Sequence, residues 1–268
     1  MIRTVLAGTA LIVLTALLAC GGGDDEPETN TIILRPVLSQ APDQDPEAVL
    51  ETLATVSEAR AEAYSGLDAT AMIADDQVTI TYSGIEDDVA NAVFGRRGVL
   101  DFRHTLTDDS GFIICQAADG TEFIVPPTLV NPDPVSGQRA RCFTQDTVGN
   151  PVWETAVVTG FDGQPQSITN ASVEPSSWMF IEGDQSGLTA KFTPEGSEIL
   201  TDITAQLVGY PLGIFLDAEL IGAPVIQRPI TDGAPVITGF DLAQARIYAA
   251  VLDGGPLPVD IQITSAAE

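Results

Sequence analysis

The most regular alternation in the chain is VTITYS at 78–83, where Val78, Ile80 and Tyr82 take one side and Thr79, Thr81 and Ser83 the other. A period of two predicts a strand with one buried and one wet face. Upstream, Val49, Leu50, Leu53, Val56 and Ala63 fall at helical spacing. They follow Asp45, an N-cap, and Pro46, whose missing N–H costs nothing in a first turn. TIILRPVLS at 31–39 and the run at 68–74 read as further strands. A short helix at 86–94 is expected to stop at Gly95 in a left-handed cap, and VLDFRHTL at 99–106 follows as a strand.

This β-α-β-β-α-β order is the split unit of ferredoxin-like folds. It can be read again from residue 188: strand LTAKF, a helix capped by Thr193 and Pro194, strands PLGIFLD and ELIGAPVI, then ITGF and a second helix. Asp241 and Gln244 have capping-box spacing, Leu242, Ala245, Ala249 and Leu252 share a helical face, and Gly254, Gly255 and Pro256 end it. The two units share a pattern but no convincing residue identity. Residues 107–187 differ in kind, with turn clusters such as TDDSG and FDGQPQ between short β-prone runs. The fold class expected is α+β: a ferredoxin-like base with an inserted, mostly β head.

The first nineteen residues carry Arg3 and an apolar run too short for a comfortable membrane span. The run ends in LLAC, and Leu17, Leu18, Ala19 and Cys20 resemble the lipobox of bacterial lipoproteins. This predicts a signal peptide over 1–19 and, over 20–30, a lipid on Cys20, palmitate among its acyl chains, followed by a flexible acidic linker, GGGDDEPETN. An ordinary secretory peptide cut elsewhere, or an uncleaved anchor, is the alternative. In an oxidising compartment the remaining cysteines, Cys115 and Cys142, are expected to form a disulfide, two buried free thiols being the alternative. The formal charge is −27, from 38 acidic residues against ten arginines and one lysine. Such a chain repels phosphates, which excludes nucleic acid as a partner.

Four segments, LDFR at 100–103, FTPEGSEILTDIT at 192–204, LDAELIGAPVIQRPI at 216–230 and ITGFDLAQARIYAAVLDGGPLPVDIQI at 237–263, resemble in order the periplasmic domain of SecD. SecD is a membrane subunit of the protein-export machinery. The resemblance covers most of 31–264 and is strongest over 190–264. It implies a base formed by 31–106 and 216–264, a head over 107–215, a tail at 265–268, and head motion about hinges near 106–110 and 215. In SecD, flanking transmembrane helices hold the ionisable residues that couple export to proton flow. This sequence shows no such helices, so the expectation is a tethered body that powers nothing.

Chemistry adds little. His104 is the single histidine and shares a strand face with Leu100, Phe102 and Leu106, so a packed, hydrogen-bonded role is expected rather than catalysis. No cysteine–histidine spacing suits a metal, and no cofactor is implied. The acidic runs at 24–26, 86–88 and 108–109 lack the pattern of a calcium loop and read as caps and turns. Arg96 and Arg97 could meet acidic partner loops or balance local charge, and Trp153, Trp178 and Phe180 could grip an unfolded segment or pack the head. The reading is a non-enzymatic accessory of protein secretion on the extracytoplasmic face of the membrane. It would contact translocating polypeptide or the Sec machinery. The rival is an envelope lipoprotein reusing the fold for an unrelated ligand.

Overall fold

The computed structural model describes residues 28–132, 140–160, 164–175, 177–181 and 186–265. The chain begins with β1 (Thr29–Pro36), α1 (Pro46–Ser65), β2 (Thr70–Ala74), β3 (Gln77–Ser83), α2 (Asp87–Phe94) and β4 (Leu100–Thr105). Short strands follow: β5 (Ile113–Ala117), β6 (Glu122–Val125), β7 (Val130–Pro132), β8 (Ala140–Phe143), β9 (Val148–Pro151), β10 (Trp153–Thr155), β11 (Val157–Thr159), β12 (Pro165–Ser167), β13 (Met179–Ile181) and β14 (Ser186–Thr189). Then come α3 (Pro194–Gln206), β15 (Leu212–Leu216), β16 (Glu219–Gly222), β17 (Val236–Phe240), α4 (Leu242–Asp253) and β18 (Ile261–Ser265).

The caps form as the sequence dictates. The Asp45 carboxylate accepts from Glu47 N, the Thr193 hydroxyl from Gly196 N, and Asp241 and Gln244 satisfy each other's N–H. Each cap answers backbone donors that the first helical turn leaves unpaired. Gly95 is different: its φ is −81°, so it is no left-handed cap. A Cβ there would stand 2.5 Å from Asn91 O and 3.1 Å from Ile263 Cδ1, so glycine is needed for close approach.

Four strands make the base sheet, antiparallel in the order β18-β1-β3-β2. Ile32, Leu34, Val78, Ile80 and Tyr82 project from one face into a core with Leu50 and Leu53 of α1 and Val93 and Phe94 of α2. Full burial of each such side chain contributes about 1.5–3 kcal/mol. The expected alternation at 78–83 is therefore real. On α1, however, the buried stripe runs through Ser57, Arg60 and Ala61, while Ala63 lies outside it.

The strand expected at 99–106 forms as β4, but it does not close this sheet. It pairs with β15 and β10 in a second antiparallel sheet, β10-β4-β15-β16, and the place beside β1 goes to β18. A turn at Gly98 and a carboxylate distant in sequence set the redirection. Gly98 turns the chain at φ +78°, and the Asp217 carboxylate accepts from Gly98 N at 3.1 Å and Val99 N at 2.8 Å. This ties the start of β4 to the β15–β16 turn, where Asp217 and Ala218 adopt φ of 54° and 67°. The second β-α-β-β-α-β order likewise makes no sheet of its own. β14 lies between β13 and β17, β15 joins β4, and β18 leaves for the base.

The head is mostly β. Beside the β4 sheet it holds β13-β14-β17, the pair β11-β12, and a five-stranded sheet β6-β5-β9-β8-β7 that carries the Cys115–Cys142 disulfide. One core joins residues of β4, α3, β15 and α4, including Phe102, Leu200, Ile214 and Ala249. Cys115 and Cys142 sit in a small separate one with Ile113, Val125 and Val130. α4 lies between the helices α1 and α2 and the β13-β14-β17 sheet. The limits expected at 106/107 and 215/216 fall within one sheet, since β4 and β15 are hydrogen-bonded neighbours.

Candidate functional site

Behind β4 and β15 the head opens into a cleft of about 170 Å³. Phe102, Leu200, Leu212 and Ile214 form its floor, and residues 224–230 with Pro235, Val236 and Ile237 form the wall. Sequence-local chemistry fixes that wall. Three prolines, Pro224, Pro229 and Pro235, interrupt the segment, which keeps a single antiparallel bridge, Val225 opposite Pro211, just before β15. Its polar groups are answered from the scaffold: Thr201 Oγ1 donates to Ile230 O at 2.8 Å, Ile230 N donates to Thr204 Oγ1 at 2.9 Å, and Leu212 N donates to Pro224 O at 2.9 Å. Arg228 and Gln227 are exposed at the mouth, and Val236 beside them is 57% exposed. β17, which carries Val236, is the edge of its three-stranded sheet. The cleft is apolar inside and polar only at its rim, so it suits an aliphatic or aromatic side chain.

Two wider depressions are chemically different. One, over α3, is lined by Glu195, Glu198 and Asp202. The other runs along the junction of base and head past Arg97, Asp101, Arg103, Asp217 and Asp260. Among the described residues no group of histidine, cysteine and carboxylate side chains is arranged to hold a metal.

The residues singled out from the sequence do not converge. Trp178 is buried in the head core, and its backbone N–H donates to the Asp253 carboxylate at 2.9 Å. Burial pushes the Asp253 carboxyl above its usual range, partly offset by that hydrogen bond. Trp153 lies on β10, edge-on to Phe215 at 5.8 Å. Phe180, on β13, is 40% exposed. Arg96 pairs with Glu219 at 2.8 Å and stacks over Tyr248, while Arg97 pairs with Asp260 at 3.2 Å. Both arginines therefore serve contacts within the chain. Half-buried His104 lies 3.1 Å from Glu154 Oε1 through Nε2 and 3.0 Å from Thr105 O through Nδ1. Cys20 and the acidic run at 24–26 lie outside the described residues. Sequence reasoning missed the cleft. Its one local signal was the run of prolines between β16 and β17, since the rest comes together only across distant elements.

Comparison with known proteins bears on the whole body. The SecDF P1 head subdomain family matches residues 138–259. Protein translocase subunit SecD of Dictyoglomus turgidum is 34% identical over 130 residues, covering 48% of this chain and 29% of that protein. Protein translocase subunit SecDF of Thermus thermophilus is 28% identical over 182 residues, covering 68% of this chain and 22% of its own length. The chain thus spans between a fifth and a third of these relatives. A solved structure of a membrane component SecDF that enhances protein export superposes with a TM-score of 0.57 at 21% identity, over 89% of this chain and 99% of that one. SecDF in a super-membrane-facing form gives 0.58 at 22%, over 90% and 31%. These two show a shared mixed α/β fold with a mostly β head. Together with the sequence matches, they identify the chain as a SecD periplasmic-domain-like protein.

Proposed function

We propose that this protein is a lipid-anchored, non-enzymatic accessory of protein export, whose head cleft receives side chains of translocating polypeptide or of an export-channel component. The observation that carries the reading is the cleft itself. An apolar hollow beside a sheet edge is the arrangement by which an extended chain gains main-chain hydrogen bonds along the edge and seats alternate side chains in a pocket. At about 170 Å³ the hollow has room for one large side chain, which favours weak, sequence-tolerant contact. Similarity to SecD and SecDF supports placement beside the Sec machinery, outside the cytoplasm.

The base in this reading is ferredoxin-like, because the order β18-β1-β3-β2 with two helices on one face is that of the split β-α-β unit. The anchor rests on LLAC and the acidic linker. No helix among the described residues is long and apolar enough to cross a membrane. The non-enzymatic reading rests on the single histidine, already engaged with Glu154 and Thr105 O.

The test is photocrosslinking from a benzoylphenylalanine at 236 in secreting cells. Adducts containing precursor chains or channel subunits, lost when Val225→Glu puts a carboxylate in the cleft wall, support export. Their absence, with normal secretion in a deletion strain, removes that reading. Mass spectrometry of the mature N-terminus decides the anchor: an unmodified Cys20 ends it.

A further inference from the structure

Among the described residues the chain crosses between the base core and the head core at two segments, 95–99 from α2 to β4 and 254–260 from α4 to β18. One side chain holds both. Arg60 of α1 is fully buried. Its Nη1 donates to Val93 O at 3.1 Å and Arg96 O at 2.5 Å, and its Nη2 to Arg97 O at 3.0 Å and Gly255 O at 2.7 Å. Its Nε donates to Gly255 O as well, at 3.3 Å. Every acceptor is a backbone carbonyl, four of the five bonds go to residues of the crossing segments, and the fifth acceptor is the adjoining end of α2.

The electrostatics fit. α2 and α4 both end here, and neither has a basic residue in its last turn. Their terminal carbonyls carry the negative ends of two helix dipoles. A guanidinium presents five donors in a rigid planar fork, so one arginine from a third helix can answer both ends at once. Burial lowers the Arg60 pKa to about 10, against the field of Asp217, and leaves the group charged at neutral pH. The backbone has been cleared around it: a Cβ at Gly98 would stand 2.6 Å from Nη2, and one at Gly254 would stand 2.4 Å from Cγ. Both glycines belong to the crossing segments. Arg97 repeats the pattern nearer the surface, donating to Leu257 O at 3.2 Å and Pro258 O at 3.3 Å, while Leu257 N donates to Arg97 O at 2.7 Å.

We propose that Arg60 is the clasp that sets the orientation of the head on the base, by binding the carbonyls of both crossing segments to α1. The expected hinges near 106–110 and 215 lie within or beside the β4–β15 sheet, so bending is placed instead at 95–99 and 254–260. The assignment does not depend on what the head cleft binds. A residue that merely stabilised the fold would loosen every region together; a clasp loosens the crossings and the angle between the lobes.

The test uses the full chain, with spin labels carried by noncanonical residues at positions 72 and 157, one exposed site on each lobe. Wild type should give one narrow distance. Arg60→Met should broaden it or add a second distance, and trypsin should cut after Arg96 or Arg97 at least about tenfold faster, with cleavage after Arg141 in β8 unchanged. Arg60→Lys should restore the single distance in part. If Arg60→Met does not fold, Arg97→Gln, which loosens only the outer layer, should raise hydrogen exchange at 255–258 with the same selectivity. An unchanged distance with unchanged cleavage at 96–97, or faster cleavage at all arginines in parallel, overturns the proposal.

Discussion

Replacing Cys115 and Cys142 together with alanine tests whether the five-stranded sheet of the head stands on its crosslink. Its core is six buried residues, of which the two cysteines are a third. The bonded strands β5 and β8 are not neighbours, since β9 runs between them, with Pro151 opposite Cys115 and Gly149 opposite Cys142. Two strand spacings in a flat sheet amount to about 9.5 Å. The Cα atoms are 6.4 Å apart, so the sheet is curled and the bond closes the curl. With a sequence separation of 27, the chain-entropy account gives about 3.5 kcal/mol. That is a large part of any domain's net stability, and far more than this small core can spare. The sheet should therefore open before the rest. At about 1.4 kcal/mol per factor of ten, amide protection at 113–117 and 148–151 should fall about 300-fold in the double variant, with β1, β3 and α1 unchanged. Hydrogen exchange read by mass spectrometry measures both regions at once, and reduction of the wild type should reproduce the pattern. A fall of less than about tenfold would show that the crosslink does not hold the sheet. An equal fall in both lobes would show that the sheet is no separate unit.

Other expectations are as direct. Asp217→Ala removes the acceptor from Gly98 N and Val99 N and should lower unfolding free energy by about 1–2 kcal/mol in urea titrations, with Asp217→Asn recovering part of it. Asp241→Ala breaks the capping box of α4 and should cost about 1 kcal/mol in the same assay. Asp253→Asn tests a pKa. Burial raises the Asp253 carboxyl above 3.8, so its ionised form disfavours the fold and that penalty grows as pH rises through the raised value. Asparagine keeps an oxygen for Trp178 N without the charge. The variant should be the more stable at pH 7 and lose that advantage near pH 3; a pH-independent difference would contradict the assignment.

Those parts of the fold governed by near neighbours are visible in the sequence. Asp45 with Pro46, Thr193 with Pro194, and Asp241 with Gln244 announce three helix starts, and the alternation at 78–83 gives the buried face of β3. The cysteine pair is legible from its even count. Strand partnership is not, because β4 and β18 both carry apolar residues that suit either sheet. The choice turns on Gly98 and on Asp217, more than a hundred residues away. Arg60 is illegible for another reason: arginines are almost never fully buried, so spacing alone assigns it to solvent. The cleft was invisible because its floor comes from β4, α3 and β15 and its wall from a proline-rich connection with no period to read.

Arginine placement links these failures to the protein's acidity. With ten arginines against 38 acidic residues, a random surface distribution would leave each one surrounded by carboxylates. Instead, Arg60, Arg96, Arg97 and Arg246 gather where base meets head. Arg60 donates to Val93 O in the last turn of α2 and to Gly255 O just past the end of α4. Arg246 of α4 donates to Tyr64 O at 3.1 Å in the last turn of α1, and lies over the Tyr64 ring at 4.7 Å and the Phe180 ring at 5.8 Å. The helices α1, α2 and α4 have no basic residue in their own last turns, so each has its negative end met from a neighbour. The consequence is mechanical. A chain whose two lobes both carry net negative charge is joined at the seam by cations, of which Arg60 is fully buried and Arg96 and Arg97 are half-buried. Arg96 and Arg97 adjoin in the linear sequence, and the fold engages both in contacts within the chain, with Glu219 and Asp260.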